Sequence, residues 1–151
     1  MDHAETISRL RYLTERLIDG DKGYSYAGNS LTDVGLRTWC FAKAKQRRAF
    51  AAELNGIVTR LGGDPEDDGS FRGEVHRQWL AFKAEIQDDA AEEVMEECVR
   101  GEEQAVEDYR EAMREHDFPA DVDAVLRRQA AEIEQSLAEV RRKEEMLDAV
   151  D

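Results

Sequence analysis

The chain has 151 residues, long enough to bury a core without disulfides or a structural metal, and its two prolines and ten glycines leave room for long helices. A formal net charge of −14 repels phosphate backbones and anionic lipid headgroups, which argues against nucleic acid or a membrane as partner. No apolar run is long enough to span a bilayer or to serve as a signal segment, so the expected location is the cytoplasm.

Helix 1 is expected from about Ala4 to about Gly28, because Ile7, Leu10, Leu17 and Tyr24 recur at helical spacing. Asn29-Ser30 makes the turn, and Ser30 or Thr32 can cap helix 2. The seam of helix 2 reads Leu36, Trp39, Gln46, Phe50, Glu53, Ile57 and Leu61 until Gly62-Gly63 stops it. Its basic stretch, Lys43 to Arg48, reads as a solvated face, as does Arg141 to Lys143. The acidic loop Asp64-Pro65-Glu66-Asp67-Asp68-Gly69 leads to a shorter helix opened by Ser70, with an apolar stripe of Phe71, Val75, Trp79, Phe82 and Ile86.

After Asp88-Asp89, helix 3 carries Met95, Cys98, Glu102, Ala105, Tyr109 and Ala112 on one seam, and Phe118-Pro119 breaks it. Helix 4 begins near Asp121 with Val122, Leu126, Gln129, Ile133, Leu137, Val140 and Leu147 inward. Without a linker or a repeat, residues 1–151 read as a single domain. Short turns make helices 1 and 2, and helices 3 and 4, antiparallel hairpins. The long connection between the hairpins acts as a crossover, which sets helices 2 and 3 parallel.

The seams carry polar residues: Asp21 between Leu17 and Tyr24, Gln46 and Glu53 around Phe50, Glu102 between Cys98 and Ala105, and Gln129 before Ile133. Buried carboxylates must be paired, protonated or metal-bound. Counted from the turns at about 1.5 Å per residue, Asp21, Gln46 and Glu102 fall within about two helical turns of one level. Glu132, one turn from Gln129, mirrors Glu102 on helix 4. Glu53 and Tyr109 share a lower layer, where the phenol can donate to the carboxylate. Cys40 and Cys98 also share a level, and read as small buried thiols easing helix contact rather than as a redox pair.

The crossover and the inward polar layer resemble the ferritin-like superfamily. More closely, Asp19-Gly20-Asp21-Lys22-Gly23-Tyr24, Gln46-Arg47, Phe50-Ala51-Ala52-Glu53-Leu54, Leu61-Gly62-Gly63-Asp64-Pro65, His76-Arg77 with Trp79, and Gly101-Glu102-Glu103 resemble an uncharacterised bacterial family of ferritin-like four-helix-bundle proteins of unknown function. The resemblance covers nearly the whole chain. It implies an all-α, ferritin-like bundle whose crossover bears an extra short helix between helices 2 and 3.

Ferritin-like di-iron sites take a Glu from each of two helices and a Glu-x-x-His pair from each of the other two. Here Asp21 and Glu102 can stand for the first two, but Gln46 is followed by Ala49 and Glu132 by Gln135, so neither histidine is present. The candidate metal ligands are therefore Asp21, Gln46, Glu102, Gln129 and Glu132, an oxygen-only set better suited to Mn, Mg or Ca than to a redox pair. The alternative to a metal is a hydrogen-bonded polar network that fixes helix register.

No Ser, His and Asp set and no phosphate-binding glycine loop is present. The expected function is a non-catalytic structural or interaction module with a degenerate di-metal site and no bound cofactor. The alternative is a ferritin-like metalloprotein that binds iron or manganese for iron storage or peroxide handling. If the bundle leaves Phe71, Trp79 and Phe82 uncovered, that stripe is a surface for a second copy or another protein.

Overall fold

The computed structural model describes residues 2–69, 79 and 91–150. The helices are α1 (His3–Ser30), α2 (Val34–Arg60), α3 (Ala91–Glu115) and α4 (Ala120–Val150), and among the described residues there is no strand.

Local chemistry sets the helix ends. The Asp2 carboxylate accepts from the Glu5 amide to cap α1. The cap of α2 is Asp33, whose Oδ1 accepts from the Leu36 amide at 2.8 Å, and not Ser30 or Thr32. Ser30 stays in the last turn of α1, its hydroxyl donating to the Tyr26 carbonyl. A carboxylate at Asp33 also complements the positive helix N-terminus, which a hydroxyl cannot do. At the other end of α2, Gly62 sits at φ 91°, donates to the Thr59 carbonyl, and is followed by Gly63 donating to the Val58 carbonyl at 2.9 Å. This pair of bonds is a Schellman stop. Gly63 is held closely there, since a Cβ on it would lie 2.7 Å from Ile7.

Side-chain pairs define the packing. Tyr24 meets Trp39 and Leu31 meets Arg37, so α1 and α2 run antiparallel. Arg60 pairs with Asp121 at one end of α2 and Trp39 with Glu139 at the other, so α2 and α4 are antiparallel as well. Cys40 lies by Cys98, Arg47 by Glu102 and Glu53 near Tyr109, in ascending order on both chains. Helices α2 and α3 are therefore parallel, and the hairpins are linked by a crossover. Its described part runs back alongside α1: Glu66 pairs with Arg11, Gly69 abuts Asp19, and the Trp79 indole lies against Gly23. Asn55 anchors its start by exchanging two hydrogen bonds with the Glu66 backbone.

Trp79 is helical and buried. The remainder of the expected short helix, with Phe71, Val75, Phe82 and Ile86, lies outside the described residues. The core is the expected mixture of Leu10, Leu17, Phe50, Met95, Leu126 and Ile133. The inward face of α2 is turned by one residue from its expected seam, and is centred on Cys40, Ala44, Arg47, Ala51, Leu54 and Val58.

Placing a Cβ in the left-handed region costs about 1–2 kcal/mol, so Gly62→Ala should destabilise the protein by about that amount in urea denaturation. Gly56, exposed in mid-helix with nothing within 4 Å of an added Cβ, should do the reverse. Gly56→Ala is expected to add about 0.5–1 kcal/mol.

Candidate functional site

At the mid-level of the bundle, Arg47 is 2% and Glu102 1% exposed. Nη2 of Arg47 donates to Oε2 of Glu102 at 2.7 Å, joining α2 to α3 across the interior. Nε of Arg47 donates to Gln46 Oε1 at 3.2 Å, and the guanidinium lies over the Tyr24 ring at 5.5 Å. The stem of Arg47 packs on α1 where Gly20 leaves room, because a Cβ there would stand 3.5 Å from Arg47 Cγ. The basic stretch Lys43 to Arg48 is thus not wholly a solvated face: Arg47 is a core residue, and its apolar neighbours at helical spacing were the available signal.

A second polar layer lies toward the α2 C-terminus. Tyr109 Oη donates to Gln129 Oε1 at 2.6 Å, and Gln129 Nε2 donates to Glu53 Oε1 at 2.8 Å. Glu53 and Tyr109 do share a layer, but Gln129 stands between them. Arg128 pairs with Glu53 and, at 3.5 Å, with Glu132. Burial pushes the Glu53 carboxyl up, but the Arg128 and Gln129 hydrogen bonds outweigh it and hold the carboxyl below its ordinary value. Burial drives the Tyr109 phenol well up, so it stays protonated and donating.

The five candidate ligands consequently occupy three places. Gln46 and Glu102 meet on Arg47. Gln129 and Glu132 belong to the network around Glu53 and Arg128. Asp21 lies apart at the α1–α2 groove, where it accepts from Arg48 at 3.0 Å and from Ser25. Burial raises the Asp21 carboxyl above its ordinary value against the pull of Arg48. Neither Arg47 nor the pair Arg16–Asp108, with Nε to Oδ2 at 3.1 Å and Asp108 buried, was foreseen from sequence. Cys40 and Cys98 are buried free thiols in contact. The Cys98 thiol is pushed well up by its hydrogen bond with Cys40 and by burial.

At the α3 start and α4 end, Glu92, Glu96 and Asp148 offer carboxylate oxygens within 4.8 Å of one another, a grouping able to take a cation. The nearby Glu144 carboxyl is raised by desolvation and by repulsion from Asp148 and Glu96. Among the described residues, no helix is long and apolar enough to cross a membrane.

Four long helices with a crossover between antiparallel hairpins and a polar mid-layer define a ferritin-like bundle. A crystal structure of "ferritin like, diiron-carboxylate proteins" from Bacillus anthracis str. Ames has the same fold, with a TM-score of 0.61 and 14% identity over 99% of each chain. The chain belongs to the family described as Domain of unknown function (DUF2383), which matches residues 5–115. No curated protein matches it.

Removing one member of a buried ion pair strands the other, so Glu102→Ala should cost about 3–5 kcal/mol in denaturant unfolding. The double change Arg47→Met/Glu102→Leu, which leaves no stranded charge, should return to within about 1–2 kcal/mol of the parent. Because the folded Glu53 carboxyl is depressed, its contribution is present above its ordinary value of 4.5 and is lost as pH falls below it. Stability measured against pH should therefore fall less steeply below 4.5 in Glu53→Gln than in the parent.

Proposed function

We propose that the protein is a non-catalytic ferritin-like bundle that serves as a structural or interaction module, with an internal ion pair closing its centre and a second copy or another cytoplasmic protein as its partner. The observation that carries this reading is the Arg47–Glu102 pair. A guanidinium already supplies the positive charge that Glu102 requires. Loading a metal on Glu102 would leave Arg47 buried among apolar groups without a carboxylate, at a cost of several kcal/mol. The donor set is also a poor match to two iron ions, since Ala49 and Gln135 stand where an imidazole is required. His3 and His116 lie outside the mid-layer, at the start of α1 and beyond the end of α3.

A second reading has specific support in the Glu92, Glu96 and Asp148 grouping and in the likeness to a fold that carries diiron-carboxylate chemistry elsewhere. In it the protein binds iron or manganese through those residues and handles iron storage or peroxide; Asp21, Glu102 and Glu132, each held by a different arginine, are not close enough together to share an ion.

Elemental analysis after anaerobic incubation of untagged protein with ferrous or manganous ions, followed by desalting, separates the two. The module reading expects substoichiometric metal. Stoichiometric metal that is lost in Glu92→Ala/Asp148→Ala would replace it with the metalloprotein reading and assign the site.

A further inference from the structure

Cys40 on α2 and Cys98 on α3 are buried and unbridged, and their thiols share a hydrogen bond in the layer next to the Arg47–Glu102 pair. The two helices that carry them face each other diagonally across the bundle. No Cα of α2 comes within 8 Å of a Cα of α3, whereas α1 approaches both helices. A disulfide requires Cα atoms no more than about 7 Å apart, so this pair cannot be oxidised to one without moving a helix.

The separation that rules out a sulfur–sulfur bond suits one atom held between the sulfurs. A linear sulfur–metal–sulfur bridge sets its sulfurs roughly 4–5 Å apart, twice a metal–sulfur bond of about 2.3 Å. It therefore spans helices that a bond of about 2.05 Å cannot.

Softness and coordination number decide which ion that atom can be. Thiolate ligands select copper(I) over hard divalent cations. Zinc takes four ligands, and the carboxylate one turn along α3 from Cys98, that of Glu102, is already engaged by Arg47. Met95, buried and three residues before Cys98, adds a thioether to the same layer, which is again a soft donor.

A route to the thiols is present as well. Cys98 lines a cavity of about 350 Å³ between α1 and α3, and the carboxylates of Asp19 and Glu97 on its walls do not oppose the entry of a cation. The two carboxylates that act on the Cys98 sulfur are each paired with an arginine, Glu102 with Arg47 and Glu97 with Arg100, so an anionic complex there does not meet a bare negative charge.

We propose that Cys40 and Cys98 form a two-coordinate site for copper(I), reached through this cavity. Binding involves no change of oxidation state. Both S–H bonds break, two sulfur–copper bonds form, and two protons leave to water. The site is independent of both readings above, because neither cysteine is a ligand in either of them.

The test is an anaerobic titration of the full, reduced chain with copper(I) against the chromogenic chelator bicinchoninate. The parent should withhold a single equivalent from the chelator, and an excess of zinc(II) should not displace it. Cys40→Ala and Cys98→Ala should each abolish retention, with melting temperatures measured in parallel and serine, close to cysteine in size, used wherever alanine unfolds the chain. Glu92→Ala/Asp148→Ala, which removes the surface carboxylates, should retain the copper. X-ray absorption of the loaded parent should show two sulfur ligands, and the thiol oxidant diamide should leave both thiols of the native, metal-free protein titratable. The proposal is overturned if the parent withholds no copper(I), if a folded protein lacking either cysteine retains it as the parent does, if zinc(II) displaces it, if the absorption spectrum shows oxygen ligation or a higher coordination number, or if diamide joins the two thiols.

Discussion

A guanidinium and a carboxylate facing each other at 2.7 Å in the middle of an apolar bundle govern how the remainder of this protein is arranged. Each charge alone would cost several kcal/mol to remove from water, and only the geometry that joins Arg47 to Glu102 offsets that cost. Arg47 comes from the first hairpin and Glu102 from the second, so the pair forms only when the hairpins dock. Gly20 on α1 clears space for the arginine stem, Gln46 accepts from its Nε, and Tyr24 lies beneath its cationic face.

The interior is organised in layers around this pair. Toward the α2 N-terminus the buried thiols of Cys40 and Cys98 touch, and toward its C-terminus the Tyr109, Gln129 and Glu53 chain repeats the link with neutral donors. Each layer ties the first hairpin to the second. A bundle whose cross-links are supplied by its own side chains does not need an ion to hold its helices together, which is the physical sense of the module reading. The same layers border the cavity beside α1, where Gly20 admits the Arg47 stem and Gly23 faces the Trp79 indole.

Much of the architecture was legible because its signals are local. Gly62-Gly63 as a helix stop, Pro119 as a break and the periodic Leu and Ile residues depend on neighbours in sequence. What depended on the rotation of a helix about its axis was harder to read. Trp39 and Phe50 pull the apparent seam of α2 toward Gln46, whereas the small residues Cys40, Ala44 and Ala51 lie at its true centre and bring Arg47 inward. A basic run looks solvated by composition, and only the carboxylate waiting on α3 makes its burial tolerable. The Glu92, Glu96 and Asp148 grouping joins residues from opposite ends of a hairpin, so no local spacing announces it.

The parallel alignment of α2 with α3 sets how the chain can assemble. Each hairpin closes through contacts near in sequence and forms early, whereas docking joins residues on either side of the crossover and carries a larger loop-closure entropy. Hairpins that slip by one helical turn present Cys98 or Val106 to Arg47 instead of Glu102, leaving a bare buried cation and a penalty of about 3–5 kcal/mol. The ion pair thus acts as a proofreading step in folding, by which the native register is selected through the instability of its neighbours.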